Sequence, residues 1–274
     1  WVAHIYLFLE SSKKRHSATK DTSFMYIVRR FAGIIAPAAG AVILVVFSEH
    51  ALLIASMFIL ALSIVPLFFL NHVNDKPRKA PLPARTFFKE TGTLKEYITY
   101  GFYSLHADVE AIMWPMFIFL ALGTVESVAF VPIIVSVSAI IFTFFTGRMK
   151  KEYHKPMVLV GAACIAVIWL MRLSIDSTIF LFLSVFLVSL FSIFITIPTD
   201  SGFYEKGENK DALSTAMYRN LFSMAAHVIL YAIVATMLYV FEVSFIVAAV
   251  SVFLILPVTY LFEGIVRSRK VAAK

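Results

Sequence analysis

The chain has 274 residues, 60% of them hydrophobic, with 24 Lys and Arg against 17 Asp and Glu and a net charge of +7. Its mean hydropathy of +0.86 excludes an ordinary soluble domain, where about 45–50% of residues are apolar. The apolar residues fall in runs of about twenty, the length a helix needs to cross a hydrocarbon core roughly 30 Å thick, and not in the short alternating strands of a membrane β-barrel.

The fold class read from this pattern is all-α, a polytopic transmembrane helical bundle. Residues 1–9, WVAHIYLFL, form the tail of one span. Eight further spans follow at about 24–47, 50–70, 97–122, 124–146, 156–173, 178–200, 212–238 and 243–262, each helical because lipid offers no partner for an open backbone. The start at Trp1 carries no signal-peptide pattern and is read as a cut inside a longer protein. The single cysteine, Cys164, lies within an apolar run and allows neither an internal disulfide nor a cysteine metal site.

Charge fixes the expected orientation. The connections at 11–21, 71–96, 147–155 and 202–211 and the tail at 263–274 alternate to one side, and Arg29, Arg30 and Arg219 open spans from that side. Together they hold all but one of the 24 Lys and Arg. The opposite connections, at 48–50, 123–124, 174–177 and 239–242, hold none. The basic side is expected to be cytoplasmic, in a cell (inner or plasma) membrane, with the C-terminus there. The excess positive charge therefore reports orientation in a lipid bilayer, with no nucleic-acid partner. The connection at 71–96, with Pro77, Pro81 and Pro83, reads as an extended cytoplasmic linker. It divides a partial bundle at 1–70 from a six-helix bundle at 97–274.

Two motifs sit on this frame. GIIAPAAGA at 33–41 places Gly33, Ala36, Pro37, Gly40 and Ala41 where small residues admit a neighbouring helix and proline bends the span. GRMKK at 147–151 places Gly147, Arg148 and Lys151 in the loop after the second span of the six-helix half. A weaker echo links Met25, Tyr26, Arg29, Arg30 and Phe31 with Met217, Tyr218, Arg219 and Phe222, six spans apart. With the topology, these motifs resemble the major facilitator superfamily. The first is similar to that family's GPxxGG motif of the fifth helix, with two glycines replaced by alanine. The second is similar to its Gly-x-x-x-Asp-Arg/Lys loop, with Lys151 in the acidic position. The resemblance implies two six-helix halves, of which this chain would hold the end of the fourth helix through the twelfth. It also implies a monomeric secondary active transporter working by alternating access.

The stretch YGFYSLHADVEAIMWPMF at 100–117 places His106, Asp108 and Glu110 inside one span. Val109 to Leu122 alone is too short to cross, so the ionisable groups are carried into the membrane. At 100° per residue His106 and Glu110 share a face with Tyr103, Trp114 and Phe117, a polar and aromatic face suited to lining a cavity, while Asp108 points nearly opposite. A charge at the bilayer centre costs at least about 2.5–3.5 kcal/mol, so such groups face the protein and pair or titrate. Glu110, assisted by His106, is expected to carry protons or meet a cationic part of a substrate, with Asp108 as a helix contact or second acid. Asn220, Ser223, His227 and Tyr231 form one helical stripe, with His227 as a substrate ligand or proton partner. The alternative for each is structural: a buried pair, or a histidine satisfied by a carbonyl.

Arg172 and Asp176 are expected to pair at the outer interface, being four residues apart. TIPTDSG at 196–202 reads as a helix end with hinge residues Pro198 and Gly202, a candidate gate. No phosphate loop, nucleophile dyad or metal cluster is present in the sequence, so neither an enzyme nor a cofactor is expected. The function read from the sequence is secondary active transport of a small solute, coupled to protons. A membrane-embedded scaffold or a channel is the alternative.

Overall fold

The computed structural model describes residues 2–12, 18–65, 80–175, 177–209 and 211–272. Every regular element among them is a helix: α1 (Val2–Ser12), α2 (Ala18–Val46), α3 (Glu49–Leu62), α4 (Ala84–Thr91), α5 (Leu94–Asp108), α6 (Trp114–Leu122), α7 (Val125–Thr146), α8 (His154–Arg172), α9 (Thr178–Asn209), α10 (Ala212–Ala235) and α11 (Val240–Ala272). A π turn over Val109–Met113 joins α5 to α6.

Seven spans among the described residues are long and apolar enough to cross a membrane: Thr22–Val46, Leu94–Leu122, Glu126–Thr146, Lys151–Arg172, Thr178–Glu205, Ala212–Ala235 and Val240–Thr259. The span expected at 50–70 is helical over Glu49–Leu62, and 66–70 lies outside the described residues.

The six-helix bundle closes through α8 against both α9 and α11, and through α5 against both α10 and α11. Gly161 lets α8 approach α9 closely, since a Cβ there would stand 2.8 Å from the Phe191 carbonyl oxygen. An aromatic core fills the centre. Trp114 meets Trp169 at 5.9 Å between ring centroids, and Trp169 meets Phe245 at 5.1 Å. Trp114 and Phe117, read from sequence as lining a cavity, stack on each other at 5.4 Å within this core. Periodicity finds the inward face of a helix, but a packed core and a cavity give the same signal.

α2 packs along α7 and touches α9. The small-residue motif divides its contacts. A Cβ at Gly33 would lie 2.5 Å from Ser136 Oγ of α7, whereas one at Gly40 would meet Leu52 of α3 at 3.7 Å. Ala36 is exposed, and Pro37 and Ala41 are half-buried. At the basic end, Gly147 leaves room for Ser23 of α2, whose Oγ an added Cβ would strike. Arg148 lies over the Phe144 ring, and Lys151 pairs with Glu205 at 2.6 Å.

The segment read as a linker is partly folded. Pro81 and Pro83 precede the helix α4, which ends at Gly92 with φ of +63°, a left-handed residue that glycine adopts freely. Phe87 of α4 is 1% exposed and joins Tyr97, Phe203, Tyr204 and Tyr218, with Ile5 and Leu9 of α1 in the same cluster. The Leu82 backbone N–H donates to Ser214 Oγ at 2.8 Å, and the Tyr218 hydroxyl donates to the Leu82 carbonyl at 2.7 Å. These bonds tie the chain before α4 onto α10. Pro77 lies outside the described residues.

Candidate functional site

Three polar assemblies are buried among the apolar helices. The first is built on Arg172 at the end of α8. Its Nη1 and Nη2 donate to the two carboxylate oxygens of Glu110 at 2.5 and 3.2 Å, and its Nε donates to Ser184 Oγ at 2.9 Å. The guanidinium carbon lies 3.7 Å from the Trp114 ring centroid and 4.4 Å from that of Trp169. Arginine alone offers a planar fork for a carboxylate and a flat face for aromatic rings. The expected Arg172–Asp176 pair falls outside the described residues, because Asp176 does.

His106 adjoins this assembly. The Trp169 indole N–H donates to His106 Nδ1 at 2.8 Å, and His106 Nε2 lies 3.4 Å from Ser192 Oγ. An indole nitrogen can only donate, so Nδ1 is an acceptor and the ring proton sits on Nε2. His106 is therefore held as one neutral tautomer and bonds Trp169 and Ser192, not Glu110.

The second assembly joins α5 to α10. His227 Nε2 lies 3.0 Å from Asp108 Oδ1, and His227 Nδ1 donates to the Ser223 carbonyl at 2.6 Å. Because a carbonyl only accepts, Nδ1 carries a proton, and the Asp108–Nε2 contact holds the other. That proton can sit on either partner, giving an ion pair or a neutral acid bonded to a neutral ring. The side chains are 13% and 33% exposed for Asp108 and His227, and Asp108 Oδ2 is buried without a partner. Tyr231 lies one turn beyond His227 within electrostatic reach of Asp108, and Asn220 is half-buried on the same helix.

The third assembly lies toward the basic end. Asp200 of α9 is fully buried, accepts from the Tyr26 hydroxyl of α2 at 2.5 Å, and pairs with Arg219 Nη2 of α10 at 3.2 Å to both oxygens. Arg219 also covers the Tyr100 ring at 4.2 Å. The sequence reading took Arg219 as an orientation charge and singled out Asp200 only within a gate motif. Here they form one unit with Tyr26 of α2.

Glu110 and His106 thus turn toward α8, Asp108 turns toward α10, and the two acids occupy separate assemblies. Among the described residues, no three His, Cys, Asp or Glu side chains gather to hold a metal ion. No family model, curated protein or solved structure matches the chain.

Proposed function

We propose that this protein is a secondary active transporter of a small solute, coupled to protons and working by alternating access between two helical bundles, as its likeness to the major facilitator superfamily implies. The observation that carries the reading is the Asp108–His227 pair between α5 and α10, in which one proton is shared by an acid and an imidazole and can sit on either. Intramembrane ionisable groups of this kind mark proton and substrate pathways by default. The pair is partly open, and Asp108 keeps one oxygen unpartnered.

The proton carrier in this reading is Asp108 with His227. Glu110 takes the structural role, because Arg172 occupies both of its oxygens. The Tyr26–Asp200–Arg219 cluster supports the two-bundle mechanism. It joins the helix that carries Tyr26 to the six-helix bundle at one end only, where a rocking motion would have to part it. A scaffold would need no proton-bearing pair on a partly open face, and a channel would need a continuous polar ring.

The test is proton flux in proteoliposomes loaded with a pH-sensitive dye and exposed to a panel of small solutes. Solute-driven acidification that disappears in Asp108→Asn and His227→Gln supports the reading. Flux that is unchanged in both variants removes proton coupling through this pair. A protein that conducts without a solute gradient is a channel.

A further inference from the structure

We propose that Arg30 is the binding residue for an oxyanion, a carboxylate or phosphate of the transported solute, at the junction between α2 and the six-helix bundle. The proposal rests on the transporter reading and adds to it a substrate class. It starts from an imbalance of charge. Arg172 has Glu110 and Arg219 has Asp200. The third acid held between helices, Asp108, has His227. Arg30 has neither an ion pair nor a hydrogen bond among the described residues, and its Nε is buried without a partner. The side chain is half-buried, and a buried guanidinium N–H left without an acceptor is unfavourable, so this group is built to receive one.

Its position says where that charge comes from. Tyr26, Arg30 and Gly33 follow at four- and three-residue spacing and form one stripe of α2. Tyr26 reaches Asp200 of α9, and Gly33 lies against Ser136 of α7, so the stripe faces the six-helix bundle. Arg30 lies between them, within electrostatic reach of the Tyr103 and Tyr26 hydroxyls. The Tyr103 ring meets the His106 ring edge-on at 5.6 Å between centroids, and His106 Nε2 lies 3.4 Å from Ser192 Oγ. The Tyr103 hydroxyl can donate to an oxyanion there, whereas the Tyr26 hydroxyl is taken by Asp200 and His106 Nε2 faces Ser192. The guanidinium supplies the charge and the fork geometry that match a carboxylate or phosphate. Nearby, Asp200 is already occupied by Tyr26 and Arg219 and does not compete.

The experiment is thermal unfolding of the protein in phosphatidylcholine nanodiscs, titrated with succinate, inorganic phosphate and the neutral succinamide. A saturable rise in Tm with succinate or phosphate but not succinamide is expected, following the mass-action stabilisation of a folded state by its ligand. Arg30→Gln should weaken that response at least about tenfold, Arg30→Lys less, and Tyr103→Phe several-fold, in line with hydrogen bonds to charged groups. Tyr103→Phe keeps the test open if Arg30→Gln does not fold. Equal responses in wild type, Arg30→Lys and Tyr103→Phe overturn the proposal, as does the absence of a saturable anion response. A response seen only when phosphatidylglycerol replaces part of the phosphatidylcholine assigns Arg30 to a lipid headgroup and also overturns it. Anion binding without solute-driven proton flux keeps this site and removes the transporter reading. Flux with an uncharged solute and no anion binding does the reverse.

Discussion

Arg172 and Glu110 meet as two parallel hydrogen bonds, 2.5 and 3.2 Å long, between the end of one helix and the middle of another. Four residues earlier on one helix and three earlier on the other, His106 and Trp169 meet at 2.8 Å. The two contacts climb α5 and α8 together and fix their relative depth. Removing one partner of a buried pair costs about 3–5 kcal/mol, whereas replacing both by apolar groups can be neutral. Glu110→Gln and Arg172→Met should each lower Tm sharply, and the combination Glu110→Leu with Arg172→Met should recover most of the loss. Additive losses in the double variant would show that the pair does not act as a unit.

The latch at the basic end separates two kinds of bond. Tyr26→Phe removes one donor from the Asp200 carboxylate and should cost about 1.5–3 kcal/mol. Asp200→Asn leaves Arg219 buried without its counter-charge and should cost more, about 3–5 kcal/mol. Hydrogen–deuterium exchange across α2 and α9 reads the difference. Faster exchange in both helices is expected for Asp200→Asn, and protection equal to wild type would show that the cluster does not hold them together.

Glycine substitutions test the close approach of α8 and α9. In Gly161→Ala the new methyl meets the Phe191 carbonyl oxygen at 2.8 Å, a backbone atom that cannot swing aside. Gly202 has no atom within 4 Å of an added Cβ. Alanine there gains about 1 kcal/mol of helix propensity. Tm should fall for Gly161→Ala and hold or rise for Gly202→Ala. The same change of sign should appear in chemical denaturation, and a loss in both variants would refute the packing argument.

Phe87 anchors the helix that follows the proline-rich stretch. Its removal in Phe87→Ala should cost about 3–5 kcal/mol if the whole cluster unfolds with it. Limited trypsin digestion offers a local readout, because Arg85 and Lys89 lie on the same helix. Faster cleavage at these two sites is expected, with the six-helix core intact. Unchanged cleavage would mean the helix is held by the Leu82–Ser214 and Tyr218–Leu82 bonds alone.

Much of this was legible in the residues. Apolar runs and charge alternation located the spans, because lipid permits few other solutions. The 100° period separated Asp108 from His106 and Glu110, and the structure turns them to different neighbours. The partner of Arg172 was not legible. A helix end meeting the middle of another depends on depth, and depth is set by packing between residues 62 positions apart. Arg219 and Asp200 were hidden for a related reason. Both lie near the basic end, where a charge is expected for orientation alone. The helix Ala84–Thr91 carried a signal that prolines outweighed: two adjacent phenylalanines before a glycine at the left-handed end position.

The π turn at Val109–Met113 places the Trp114 N–H on the Val109 carbonyl, one residue further back than an α-helix allows. Pro115 follows directly, and the wider turn relieves the collision its ring would otherwise force on a preceding carbonyl. The turn also splices two helices with different phase. His106 and Asp108 are addressed to neighbours by one angular index, Trp114 and Ile118 by another. A residue gained or lost within those five positions, Glu110 among them, would re-aim the aromatic half against His106 and Asp108, so the register of this turn decides whether the Arg172 guanidinium can meet the Glu110 carboxylate and the Trp114 ring at once.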